Sequence, residues 1–156
     1  RMASERKVCP ICQAPLGRAR SNEQNRFYHK MIYCAWVHWP ESHGLHSRDL
    51  QRFRKRLQMS CGFYNVVLNV DLNAKSLTER ASLAGIVEVL CMSDHKNYRE
   101  VIHRDDTLKV IEPSSFAFHA MDRAEANELV DAVQAKIENV LQVPVSQLIK
   151  EHENAA

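Results

Sequence analysis

The sequence predicts an α+β chain, mostly helical with a small antiparallel sheet. Three observations carry that expectation. Apolar residues recur at helical spacing in four separate stretches, three of them opened by a capping box. Two short runs, residues 63–70 and 108–112, are rich in β-branched or alternating apolar residues and bounded by turn formers. Finally, 156 residues with 45% hydrophobic content, four glycines and five prolines suit a helix-rich globular domain. The expected layout is a cysteine knuckle and basic lead-in over residues 1–19, a single domain over 20–150, and a frayed tail over 151–156.

The first helix, residues 20–39, organises the chain. Tyr28, Met31, Ile32, Ala35, Trp36 and Trp39 fall at i, i+3, i+4, i+7, i+8 and i+11, so two tryptophans and a methionine share one burying face. Ser21 with Gln24 forms a capping box at its start, and Pro40 ends it. The opposite side carries Arg26, Lys30 and Tyr33, with Arg18 and Arg20 just ahead of the cap. A second helix, capped by Ser47, has Leu50, Phe53 and Leu57 as its stripe and turns Arg48, Arg52, Lys55 and Arg56 outward. Five basic residues in the nine positions 48–56 make this the densest charge in the chain. Gly62 is placed where a helix needs a positive φ at its end.

Residues 63–70 (FYNVVLNV) then read as a strand and 71–75 as its turn. Ser76 with Glu79 caps a third helix with Leu83, Ile86, Val87 and Leu90 as its stripe and Cys91 as a small packed residue. Tyr98, Val101 and Ile102 suggest a short helix over 94–104, followed by a loop at 104–106 and a strand at 108–112 that Pro113 ends. Residues 114–121 are expected to lay Phe116 and Phe118 on the core. Asp122 with Glu125 caps the longest helix, whose stripe runs through Ala126, Leu129, Val130, Val133, Ile137, Val140 and Leu141 and stops before Pro144. Val145, Leu148 and Ile149 close the domain in one or two helical turns.

A net charge of +2 conceals an asymmetry. Residues 1–60 hold twelve Lys and Arg against four Asp and Glu, whereas residues 61–156 hold nine against fifteen. A basic half points to a polyanion, nucleic acid first, while an acidic half is solvated, faces another protein, or neutralises the basic half within the fold or across a homo-oligomer. No apolar run approaches the roughly 18 residues a membrane helix needs, and no charged n-region with an apolar h-region opens the chain, so no membrane role and a cytoplasmic location are expected.

Cys9-Pro10-Ile11-Cys12, with Gly17 soon after, has the shape of half a zinc site. Tetrahedral zinc takes four ligands, and the second pair must come from His29, Cys34, His38, His43 or His46. His43 and His46, in the connector after the first helix, are the expected partners of Cys9 and Cys12, with His29 and Cys34 the alternative. Four protein ligands would make such a zinc structural. A thioredoxin-type use of Cys9 and Cys12 would need a strand before them and a helix starting at them. His95 and His103 have no paired carboxylate or nucleophile at a supporting spacing, so no catalytic residue is assigned.

Arg20-Ser21-Asn22-Glu23-Gln24-Asn25-Arg26 resembles the R-S-x-x-Q-N-R opening of the NinB (Orf) family of phage recombination accessory proteins. Tyr28-His29-Lys30, Gly62-Phe63-Tyr64-Asn65 and the segment from Pro113 to Asp122 resemble a second, uncharacterised phage and prophage family. The first resemblance implies a phage-encoded accessory of DNA recombination that binds single-stranded DNA in the cytoplasm of a bacterial host. The expected surface is Arg18, Arg20, Arg26 and Lys30 with Arg52, Lys55 and Arg56 on phosphates, and Tyr33 or Phe27 under an unpaired base. The competing expectations are an interaction protein that inhibits or recruits a host protein and, further off, a zinc-assisted nuclease.

Overall fold

The computed structural model describes residues 22–94, 97–115 and 121–155. Among these the chain is α+β, with five helices and one three-stranded antiparallel sheet. It divides into two compact units, one from Arg1–Phe53 with Ser115–Ala156 and one from Arg54–Ser114. No helix among the described residues is long and apolar enough to cross a membrane.

The first unit is built on α1 (Asn22–His38), α4 (Arg123–Leu141) and α5 (Val145–Asn154), which pack on one another. The expected stripe of α1 is buried at Tyr28, Met31, Ile32, Ala35 and Trp39, and Cys34 joins it. Trp36 is half-buried at the rim, where its Nε1–H donates to the Ser47 carbonyl at 2.7 Å. Against this face α4 buries Ala126, Leu129, Val130, Val133 and Ile137, and α5 buries Val145 and Leu148. The start of α1 at Ser21 lies outside the described residues. The Gln24 side-chain amide there donates to Asn127 on α4.

The capping box at Asp122 and Glu125 forms as the sequence predicts, with the Glu125 amide donating to the Asp122 carboxylate at 2.9 Å. Residues 151–154, expected to fray, continue α5 instead. Two contacts hold them: Lys30 on α1 pairs with Glu153, and the Tyr33 ring meets the His152 ring edge-on at 5.3 Å. At the α4–α5 corner Gln142 turns the chain with a φ of 56°, and the Glu138 carboxylate accepts the Val145 amide at 2.9 Å and the Gln134 side chain at 3.1 Å. These bonds, the backbone one first, hold the Glu138 carboxyl below the usual carboxylate range.

Replacing Glu138 by Gln therefore removes a charge-assisted cap on α5, and the expected cost at neutral pH is about 1 kcal/mol. A group whose folded pKa is depressed stabilises above its unfolded value of about 4.3 and loses that contribution as pH falls through the folded value. The gap between the wild type and Glu138→Gln in urea melts should accordingly close on acidification. A gap that is unchanged down to pH 3 would show that the carboxylate charge has no part in it.

In the second unit the sheet runs β1 (Tyr64–Asp71), β3 (Thr107–Pro113), β2 (Glu100–Arg104), so β3 is central and β1 and β2 are edges. The helix expected over residues 94–104 is corrected by this sheet: Glu100–Arg104 is a strand paired with β3 from Glu100↔Ile111 to Arg104↔Thr107. A two-residue turn makes the pairing possible, with Asp105 at φ 50°, a conformation Asp tolerates better than most residues. Once that hairpin closes, Val101 and Ile102 gain more from β pairing than from a helix too short to support itself.

The capping box of Ser76 and Glu79 opens α3 (Leu77–Ser93) as expected. Its packed face is Leu83, Ala84, Val87 and Cys91 against Val70, Leu72, Val101, Leu108 and Val110. Ile86 and Leu90, expected in that stripe, face outward. A helix apolar almost all round has no phase of its own, and the sheet selects the side it uses.

Helix α2 (Leu50–Ser60) is capped by Asp49 rather than by Ser47, because the Asp49 carboxylate accepts the Arg52 amide at 2.6 Å while the Ser47 hydroxyl accepts the Asp49 amide at 3.2 Å. Gly62 takes the expected positive φ, at 91°, and lets the chain leave α2 for β1. Gln58 is fully buried, and its side-chain amide donates to the Ser114 carbonyl at 2.7 Å, tying α2 to the residue after β3. The knuckle at Cys9 and Cys12, together with Phe116 and Phe118, lies outside the described residues.

Candidate nucleic-acid interface

The sequence-predicted cations fall into two sets. Arg26, Lys30 and Tyr33 lie at i, i+4 and i+7 of α1, on the flank away from its buried stripe, and all three are exposed. Arg52, Lys55 and Arg56 lie at i, i+3 and i+4 of α2, with Arg52 exposed and the other two half-exposed. Arg18 and Arg20 lie outside the described residues. The sequence of α2, LQRFRKRLQMS, has four cations and no carboxylate, and the acidic residue at its start is the Asp49 cap.

Two of the predicted phosphate ligands have carboxylate partners that the sequence did not suggest. Lys30 pairs with Glu153 of α5, and the Glu153 carboxyl is held below the usual range, first by that hydrogen bond and then by the lysine charge. Arg56 pairs with Glu100 of β2 at 3.4 Å, and Glu100 also accepts the Tyr98 hydroxyl at 2.6 Å. The Lys30–Glu153 pair is open to solvent and the Arg56–Glu100 pair is partly so, and at such sites a phosphate can compete for the cation. They discount Lys30 and Arg56 as ligands without removing them.

Tyr33 is the aromatic of the set. Its ring is 40% exposed, with His152 edge-on on one side and Trp36 tilted at 6.0 Å on another, so its orientation is fixed while part of its surface stays open. A base could stack there at little entropic cost. Phe27, also exposed, is a second apolar ring on the same helix. The ring contact from His152 was missed by sequence reasoning because the two residues are far apart in the chain and the end of α5 was expected to fray.

Of the four expected zinc ligands, Cys9 and Cys12 lie outside the described residues, and His43 and His46 can be placed. The His43 Nδ1 accepts the Leu45 amide at 3.1 Å, and the ring packs edge-on against Trp39 at 5.2 Å. A metal would therefore meet His43 through Nε2. His46 follows on the next turn, its amide donating to the His43 carbonyl at 2.9 Å. The alternative pair is not brought together: His29 is exposed, while Cys34 is fully buried in the α1 core and burial pushes its thiol pKa up, against the thiolate that zinc requires. Among the described residues no three His, Cys, Asp or Glu side chains converge.

Compared with known protein families, curated proteins and solved structures, the chain matches none of them.

Proposed function

We propose that this protein is a phage-encoded accessory of DNA metabolism that binds single-stranded nucleic acid through its basic helical surfaces without cleaving it. The observation that carries the reading is α2, an 11-residue helix with four cations, no carboxylate of its own and an outward set at Arg52, Lys55 and Arg56. The flank of α1 supports it with Arg26, Lys30 and the half-open Tyr33 ring. Cations at this spacing neutralise successive phosphates, and the aromatic ring takes an unpaired base of any identity. Binding of mixed-sequence single-stranded DNA should weaken steeply with salt, with a logarithmic slope of about −0.7 for each phosphate engaged. A slope near zero, or no binding at 50 mM salt, would overturn the reading.

Zinc has a structural place in the same reading, held by Cys9 and Cys12 with His43 through Nε2 and His46. The expected result is one zinc per chain in metal analysis of the purified protein, lost in the Cys9→Ser, Cys12→Ser double variant with a fall in melting temperature. Stoichiometric zinc that survives the double variant would exclude this ligand set. The competing reading, a product that binds a host protein, draws support from a different feature, the apolar surface of the second unit.

A further inference from the structure

The last turn of α5 is helical against its own sequence. Glu151 and Glu153 place two carboxylates at the negative end of the helix dipole, where they oppose the turn they sit on. The residues that α5 buries, Val145 and Leu148, lie in its first half, while Glu151, Glu153 and Asn154 are exposed, so apolar packing does not hold this turn. Two contacts reach it from α1: Lys30 pairs with Glu153, and the Tyr33 ring meets the His152 ring edge-on at 5.3 Å and 70°.

Both α1 groups belong to the candidate interface, Lys30 for a phosphate and Tyr33 for a base, and they lie one turn apart on one flank of the helix. Adjacent residues of α5 offer them a small imitation of that ligand. Glu153 sets an anion against the ammonium, and its carboxyl is held below the usual range, first by the hydrogen bond from Lys30 and then by the lysine charge. His152 sets a flat nitrogen heterocycle against the phenol ring. The Lys30 and Glu153 side chains are 43% and 56% exposed, so an incoming anion can reach the pair from solvent. Trp36 touches Tyr33 from α1 itself, at 6.0 Å, and would keep the ring oriented once His152 had left.

We infer that the last turn of α5 is an intramolecular competitor of the nucleic acid: it occupies Lys30 and Tyr33 in the free protein and is displaced when a strand binds. The inference rests on the proposed reading of those two residues as ligands. Where the masked state is favoured, the apparent affinity falls by the fraction of molecules left open. An exposed ion pair and one ring contact make that factor small, so the turn sets a threshold and does not block the site. A strand that brings a phosphate together with an unpaired base replaces both contacts at once.

The test is titration of the full chain with mixed-sequence single-stranded DNA, beside Glu153→Gln and Glu151→Gln. Glu153→Gln is expected to tighten binding about threefold, the scale of an exposed ion pair. Glu151→Gln removes the same charge from the same turn, but its carboxylate accepts from Gln147 on its own helix at 2.9 Å, and the affinity should stay close to that of the wild type. Lys30→Gln should cost more affinity in the Glu153→Gln background than in the wild type, because only there is the lysine open before DNA arrives. The Cα chemical shifts of residues 151–154 should move from helical toward coil values as DNA is added to the wild type. Equal affinity of the wild type and Glu153→Gln, or helical shifts that persist at saturation, overturns the inference and leaves the proposed function standing, since the wild type still binds. Equal gains from Glu153→Gln and Glu151→Gln also overturn it, because net charge would then account for the effect. Failure of every form to bind overturns the inference together with the function on which it rests.

Discussion

The Arg52→Glu, Lys55→Glu, Arg56→Glu triple variant is expected to lose single-stranded DNA binding altogether at physiological salt. Three phosphate contacts on one helix are replaced by three repulsions, and the salt slope should shrink by about 2 with whatever affinity remains at low salt. The fold is expected to survive, because Phe53, Leu57, Gln58 and Met59, the buried residues of α2, are untouched. Arg56 needs a control. Its guanidinium pairs with Glu100 at 3.4 Å, so a glutamate there would face another carboxylate. The Arg52→Glu, Lys55→Glu double variant leaves that pair in place and should still lose most of the binding. Tyr33→Ala separates charge from stacking: it should weaken binding by about 1–3 kcal/mol while leaving the salt slope where it was. Triple-variant binding that equals the wild type would remove α2 from the interface and the proposed function with it.

Which parts of this architecture could be read in advance follows the range of the interactions that decide them. The caps at Ser76 and Asp122 involve residues three positions apart, and both formed as read. The stripe of α1 was legible for the same reason, since its spacing alone selects a face. Tyr98, Val101 and Ile102 fit a helical period as well as a strand. The choice was made by the turn at Asp105 and by β3 beyond it, which no local pattern contains. In α3, apolar residues on nearly every side left the packed face undecided until the sheet was in place.

The candidate interface shows the same division. That cations cluster along α1 and α2 is a property of the sequence, but their neutralisation is not. Glu153 comes from the C-terminal end of the chain to Lys30, and Glu100 comes from a strand that had been read as helix to Arg56. The acidic surplus of the second half was visible, and neutralisation within the fold was one of the uses expected for it. Which carboxylate meets which cation required the tertiary structure. The outward-facing Ile86 and Leu90 had a signal, the unphased hydrophobicity of α3, which was assigned wholly to the core.

Phe53→Ala is expected to cost the first unit about 3–5 kcal/mol, the loss typical of a large buried aromatic that leaves a cavity. Phe53 is fully buried, and its ring meets Trp39 edge-on at 5.0 Å and 65°, while Trp39 also carries His43 edge-on at 5.2 Å. Removing the ring therefore takes a partner from Trp39 as well as apolar area from the core. Against a total stability of about 5–15 kcal/mol, such a loss is enough to leave the unit partly unfolded at 37 °C. Both tryptophans of the chain belong to this unit, Trp36 on α1 and Trp39 directly after it, so tryptophan fluorescence in a urea titration reports the unit directly. Phe53→Leu keeps most of the volume and should cost under about 1.5 kcal/mol. The ratio between the two variants is the informative quantity. Equal small losses would mean that the Trp39–Phe53 contact is not a packed core, and equal large ones that the ring geometry, rather than the filled volume, holds the end of α1 in place.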